Sequence, residues 1–546
     1  MSRNIHARRV LKAMNKSKIF IILAILLSVL IIIPIYDLKK SCDTSVLNDE
    51  NSVLIYGRSG DIMSLDPPAQ WDGTSSSVTN NIYENIVQFA EGSSEIEFIL
   101  AETCEISADR LEYSFTLRKN IFFHDKTPFN ADAVLFSFER QMKKNHPYRP
   151  EKCECFESNF EIILDTVRKK DENTIVFKLK KPFSPFMEML AMSPMAIVSP
   201  TAVKKYGHEF YKNPCGTGPF KFVAWAPKDS VIIERNDEYW NGQARLKKVI
   251  FKTIPDNKLR LMQLYSGLID MMDDINPDDL DTIKRNPDIT LLLKPGMNIG
   301  YIALNTQKPP FDKVEVRRAV NHAINKKSII NLFYQQTATL AKNPMPPTIM
   351  GYNDDIEDYS YDTAKAREYL KLAGLEKGFT ANFFVLPRPM NAFPEPEKVA
   401  SAVIANLYEV GIKVEKLNDY SWEEYQERVQ NGEHDMAMFI WSADIPDPDN
   451  FLYVLLDKDN AVSEQPQNIA FYKNDILHYT LMSARSAINT KEREKLYKKA
   501  QEMIHEDAPW VPMVHGNLIV AYRNYVKNLK LSPVTYEYYK NVVVER

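Results

Sequence analysis

The sequence predicts an α/β protein. Apolar runs of strand character alternate with amphipathic helices of three-and-four spacing from Val53 onward, and the unit from Phe379 to Lys416 reads strand, helix, strand, the order of a parallel sheet. At 546 residues the chain exceeds what one hydrophobic core usually serves, so two or three domains are expected. Apolar residues make up 45% and charged residues 26% with no low-complexity tract, so the chain is expected to be folded beyond its N-terminus.

Residues 1–18 carry Arg3, Arg8, Arg9, Lys12, Lys16 and Lys18 and no acid, and an apolar run broken only by Ser28 follows from Ile19 to Ile33. This is an export signature: the basic flank stays cytoplasmic, and everything after Pro34 is expected outside the membrane. Ile35 to Ser41 lacks a small-residue cleavage site, which favours a retained anchor over residues 19–36, close to the ~20 residues that span a bilayer. Cys42 invites lipidation, but Lys39, Lys40 and Ser41 do not form a lipidation box. Residues 37–51 read as a tether.

The fold then starts with a strand at Val53–Tyr56, a loop from Gly57 to Pro67 and a helix from about Ser76 to Val87. Tyr113, Phe115 and Leu117 alternate as a half-buried strand, and Asn130 caps a helix carrying Ala131, Val134, Leu135 and Phe138. Ile162–Val167 and Thr174–Leu179 form a strand pair, and Pro182 to Pro185 leads into a helix. Asn213 to Phe220 is too rich in Gly and Pro for regular structure and reads as a crossover before strands Phe220–Ala224 and Val231–Glu234. Asp256 starts a helix with Leu261, Leu264 and Leu268 on one face and Leu259 and Met262 beside them; Gly300–Leu304 is a strand. Helices centred on Val316–Ala323, Ala366–Ala373 and Ala400–Leu407 follow, the last two stopped by Gly374 and Gly411. Helix Lys491–His505 and strand Trp510–Val514 complete the series.

Composition and motifs exclude several functions. A net charge of -4 with no basic patch interleaved with aromatics gives no nucleic-acid surface. The five cysteines, Cys42, Cys104, Cys153, Cys155 and Cys215, fix no pairing, and Cys153-Glu-Cys155 has the wrong spacing for a zinc knuckle, leaving a disulfide or free thiols. The nine histidines contain no metal-pair spacing, and His124 reads as a structural hydrogen-bonding residue. Gly57-Arg-Ser-Gly60 falls one residue short of a hydrolase elbow, and Gly216-Thr-Gly218 completes no phosphate-cradling pattern. No catalytic residue, metal or cofactor is expected.

Two charges stand out. Met436, Met438 and Ile440 alternate with Ala437, Phe439 and Trp441 in a strand buried on both faces, and Pro446 and Pro448 forbid its continuation, leaving Asp444 at its mouth beside Trp441. A carboxylate there is suited to holding a ligand cation; the plainer reading is an acidic turn in which Asp449 or Asn450 caps the helix over Phe451–Leu456. Arg388 mirrors Asp444, following the apolar strand Phe379–Val385 between two prolines. Open α/β sheets bind ligands beyond strand carboxyl ends, so the pair is placed to grip the two termini of a small zwitterion.

With these residues assembled, the chain resembles the periplasmic solute-binding proteins of the peptide/nickel/opine class (family 5) that serve ABC importers, and within it the dipeptide-binding proteins. The likeness runs from about Val53 to the C-terminus. Its most specific block joins Ala101–Ser107, Tyr113–Lys119, Phe123-His-Asp125, Pro128–Asp132 and Phe136–Arg140; further matches are Asn213–Phe220, Asn298–Tyr301, Val316–Asn321 and Trp441–Phe451. It implies a type II periplasmic-binding-protein fold, two lobes closing about a hinge with an extra inserted lobe, three in all. The expected division is lobe I over 52–87, 206–307 and 516–546, inserted lobe II over 88–205 and lobe III over 308–515. It further implies that Asp444 pairs with a peptide α-amino group and Arg388 with its α-carboxylate. Ligand main-chain groups are expected to pair with strand edges in a cleft loop near Ser64 to Pro67, and Trp441 to line a side-chain pocket. Met390 replaces the usual aromatic after Arg388-Pro389, and Ala443–Pro446 replaces a more glycine-rich turn. The expected function is capture of dipeptides or short peptides and delivery to ABC-transporter permease subunits, by a monomer in the periplasm or on the outer face of the cytoplasmic membrane. The same fold binding longer peptides, haem or a nickel chelate, and a membrane-anchored peptide sensor, are the alternatives.

Overall fold

The computed structural model describes residues 52–70, 72–462, 466–534 and 536–546. The basic flank, the membrane-anchor segment, the tether and Cys42 lie outside the described residues. No helix among them is long and apolar enough to cross a membrane.

One strand organises the rest. Trp510–Arg523 belongs to a mixed sheet whose path runs Ile412–Leu417, Phe379–Phe384, Met436–Ser442, Asn298–Leu304, Trp510–Arg523, Met271–Met272, Val53–Arg58, Lys248–Thr253, Ser230–Arg235 and Phe220–Ala226. Its first residues pair antiparallel with Asn298–Leu304, while Asn517 to Arg523 pair antiparallel with Ile289–Pro295. Segments 289–304 and 510–523 therefore run side by side through both halves of the molecule. A separate sheet of Ala101–Ile106, Glu112–Leu117, Thr174–Leu179 and Leu164–Asp171 sits within the region expected as the inserted lobe.

The two crossings are clasped by one side chain. Asn298 Nδ2 donates to Gly516 O at 2.8 Å and Gly516 N donates to Asn298 Oδ1 at 2.7 Å, so an amide substitutes for a ladder partner where the strands change neighbours. A Cβ on Gly516 would lie 2.9 Å from Asn391 O, and one on Gly296 would lie 2.6 Å from Gly516 O, so side chains are excluded at this crossing.

Several expectations need correction. The first helix is Gly73–Ile82, capped by Asp72 accepting from Ser75 N, and Val87 belongs to a strand with Phe89. The strand expected at Ile162–Val167 is Leu164–Asp171, an edge strand of the separate sheet, shifted toward the C-terminus. Asp256 does cap a helix, but Gly267 in the left-handed region ends it, and Leu259, Met262 and Leu268 are exposed while Arg260, Leu261 and Leu264 face inward. The strand expected at Trp510–Val514 continues nine residues to Arg523, because successive neighbours supply its ladder bonds: Asn298–Leu304 and Ala338–Leu340 on its first half, Ile289–Pro295 and Met271–Met272 on its second. The strand before Asp444 is fully buried only at Met436, Ala437 and Met438; Phe439, Ile440 and Trp441 are half-buried. The β-α-β unit stands: Phe379–Phe384 pairs parallel with both Ile412–Leu417 and the Met436 strand.

His124 is structural, with Nε2 at 3.0 Å from Gly218 O. His434 and His515 are more deeply buried, each with one ring nitrogen bonded to a carbonyl (Ile469 O at 2.8 Å, Asn298 O at 2.7 Å) and the other without a partner. Burial lowers both to about 4, because a second ring N–H would have no acceptor. A base depressed by folding stabilises fully above its unfolded value, so this contribution is lost as pH falls from about 6.5 through the folded value, by about 1.4 kcal/mol per pH unit for each ring. Urea unfolding at pH 7, 5.5 and 4.5 is expected to show that decline, and His434→Gln to lessen its slope by one ring's share, about 1.4 kcal/mol per pH unit.

Candidate functional site

The site is built at the carboxyl end of the strand Met436–Ser442. It is held between Asn298–Leu304 and Phe379–Phe384, so its emergence is fixed on both sides. Ala443 N gives a last bond to Met297 O at 2.7 Å, beside the crossing, and the prolines then turn the chain.

Three acids follow within six residues, and two have resident guanidinium partners. Asp447 is gripped by Arg493 through two bonds of 2.7 Å, both groups buried. Asp449 Oδ1 lies 2.8 Å from Arg485 Nε, an ion pair off the hydrogen-bond line; burial holds Asp449 at about 6 even so. Neither Asp449 nor Asn450 caps the helix Asp449–Leu456, which begins without a side-chain cap, because their side chains are spent on these contacts. Asp444 has no cation among the described residues. Its carboxylate Oδ2 accepts from Asn450 Nδ2 at 3.2 Å, and Asn450 Oδ1 in turn accepts from Asp444 N at 3.0 Å and Trp441 Nε1 at 3.1 Å. Burial raises Asp444 above its ordinary value, against the Asn450 bond.

Residues from elsewhere in the chain face it. Tyr536 OH donates to the Asp444 carbonyl at 3.3 Å. Burial first, then the Asp444 charge, pushes both the Cys155 thiol and the Tyr536 hydroxyl up. Cys104, Cys153, Cys155 and Cys215 are free thiols.

Arg388 stands just past the end of Phe379–Phe384, exposed, with Cζ 5.4 Å above the Trp422 ring, and no carboxylate pairs with it among the described residues. Its loop turns tightly between Met390 and Phe393, and Asn391 Nδ2 reaches Ser442 Oγ at 3.4 Å, linking it to the Asp444 strand. Trp441 is half-buried with its indole N–H committed to Asn450. Ser64 stands apart: its hydroxyl accepts from Asp66 N at 3.1 Å in a loop pinned by the buried Arg140–Asp66 pair, and no hydrogen bond joins it to Asp444 or Arg388.

Asn450, Tyr536, Cys155, Arg485 and Arg493 were not legible as site residues; Asn450 signalled only a cap, and the others lie remote in sequence. Asp457, Asp459 and His478 have metal-like spacing, but the His478 ring already bonds Asp457 at 3.0 Å. The acidic turn depends on its arginines: Arg493→Met leaves Asp447 buried and uncompensated, and is expected to cost about 3–5 kcal/mol in urea titration.

Residues 95–463 match the family described as Bacterial extracellular solute-binding proteins, family 5 Middle. The chain is 36% identical over 527 residues to heme-binding protein A of Haemophilus influenzae (93% of this chain, 95% of that protein) and 34% identical over 514 residues to the dipeptide-binding protein of Escherichia coli (90% and 94%). Among solved structures it is similar to the ABC transporter-associated periplasmic binding protein DppA from Helicobacter pylori in complex with peptide STSA, with 38% identity, a TM-score of 0.81 and coverage of 92% of this chain and 100% of that one.

Proposed function

The chain belongs to the bacterial extracellular solute-binding proteins of family 5, and from that premise we propose that it captures short peptides as the binding component of an ABC importer and hands them to the permease. The family is one of solute binding rather than catalysis. The observation that carries the choice of ligand is Asp444, the acid of the turn left without a cation while Asp447 and Asp449 are paired. An α-ammonium completes it, and Arg388, equally unclaimed and at the end of the neighbouring parallel strand, takes the α-carboxylate. Trp441 braces the turn through Asn450 and lines the approach. Ser64 belongs to the cleft loop on the opposing side. Lobes I and II, over 52–87, 88–205, 206–307 and 516–546, close on lobe III, over 308–515, about the paired crossings.

Haem carries carboxylates and no ammonium, so Asp444 gains nothing from it, although a relative is named for haem. Residues 19–36 tether the protein, which acts as a monomer, to the outer face of the cytoplasmic membrane; the basic flank supports this orientation.

Calorimetric titration of the protein, stripped of carried ligand by unfolding and refolding, is expected to show tight binding of a free dipeptide, none of its N-acetyl form, and a loss of about 30-fold to a few thousandfold in Asp444→Asn, the cost of about 2–5 kcal/mol for an unpaired buried charge. Equal binding by wild type and variant, or binding of haem alone, overturns the assignment. The pH dependence has a definite sign. Only ionised Asp444 pairs with the ammonium, so affinity is expected to weaken about tenfold per unit as pH falls below the raised Asp444 value. The ligand-free fold responds oppositely: a carboxyl raised by folding binds its proton more tightly folded than unfolded, so its burden on stability is relieved over the same fall.

A further inference from the structure

On the lobe division proposed above, residues 183–188 belong to lobe II and residues 485–493 to lobe III, which places them on opposite sides of the cleft, with the paired crossings beside Gly296 and Gly516 linking the halves. They nevertheless meet. Ser184 N donates to Arg485 O at 2.8 Å, Ser184 Oγ donates to Ala487 O at 2.8 Å, and the Arg485 guanidinium lies 5.0 Å over the Phe183 ring. On its own side Arg485 stacks 3.6 Å over Tyr453 and pairs with Asp449, the first residue of the helix that leaves the Asp444 turn.

We infer that Arg485 is a positioning residue that couples capture to closure: its guanidinium steadies the turn presenting Asp444 and, across the cleft, seats the Phe183 ring, while its backbone carbonyl and that of Ala487 receive Ser184, so that Phe183 and Ser184 latch the closed state. The inference rests on the reading of Asp444 as the ligand anchor. Two features make Arg485 suited to it. Its Nε has no aligned acceptor, so stacking between Tyr453 and Phe183, rather than a rigid fork, holds the group. Its backbone carbonyl and that of Ala487 lie at the end of the helix Asp475–Ser486, where carbonyls lack helical partners and Ser184 supplies donors.

A latch formed only on closure slows release without altering encounter. The test uses variants on the side that does not touch the acidic turn: Phe183→Leu with Ser184→Ala removes the ring face and one donor while keeping apolar volume. Stopped-flow measurement with a dipeptide is expected to show release about tenfold faster with the association rate unchanged, and Ser184→Thr, which keeps both donors, to release at the wild-type rate. Spin-label distances across the cleft in the ligand-free protein read the closed population directly, and the double variant is expected to lower it. Unchanged release, or a fall in association rate alone, overturns the inference. If wild type binds no dipeptide, the peptide reading fails, and the spin-label distances alone decide the latch: an identical closed population in variant and wild type overturns it.

Discussion

A carboxylate withdrawn from water needs a cation, and the acidic turn after Ser442 satisfies that need at two of its three acids. Arg493 fills Asp447's fork and Arg485 stands against Asp449, so the turn is rigid where its charges are paired. Asp444 is held in position by Asn450, a neutral amide that orients the carboxylate without neutralising it. A fixed, half-buried, uncompensated charge binds a cation strongly because the protein has already met the ordering cost before the ligand arrives. The peptide-capture reading depends on this inequality among three neighbouring acids.

The position of that charge follows from the paired crossings. Segments 289–304 and 510–523 carry the sheet from one half to the other, and the Asn298 amide clasps them at Gly516. The same point touches both candidate anchors: Met297 O accepts from Ala443 N at the root of the Asp444 turn, and Gly516 packs on Asn391 and Ala392 in the Arg388 loop. Under the proposed lobe division, a rotation of one half about the crossings would move the opposing wall, with Tyr536, Cys155 and Ser184, against anchors that stay fixed to the crossing itself. Ligand and latch then act at separate points of one closure.

Local physics in the sequence foretold much of this. Caps at Asn130 and Asp256, glycine stops at Gly374 and Gly411 and the β-α-β unit around Ala400 each rest on spacing within one element, and each formed. Misreadings arose where distant partners decided the outcome. Leu261, Leu264 and Leu268 read as one core face with Leu259 and Met262 beside it; Leu261 and Leu264 are buried, but the helix also buries Arg260, whose guanidinium bonds Ile254 O, and leaves Leu259 and Met262 exposed, while Leu268 lies past its end at Gly267. Trp510–Val514 looked complete until the neighbours that extend it to Arg523 were in place. At the site, Asp444 and Arg388 stood out because each charge ends an apolar strand; Arg485 and Arg493 lie in ordinary-looking helices, and nothing near them announces that they neutralise the turn. Ser64 was marked as a strand edge for ligand main-chain groups, and it shares no hydrogen bond with the two charges.

The central claim is that Asp444 is an ionisable group waiting for a cation, and its own titration reads this most directly. Carboxyl 13C NMR of the Asp444 resonance, assigned by loss in Asp444→Asn, is to be followed against pH with and without a saturating free dipeptide. The account predicts titration above the ordinary aspartate value in the free protein and a fall well below it when the ammonium is bound. A carboxyl that titrates identically in both states contradicts it.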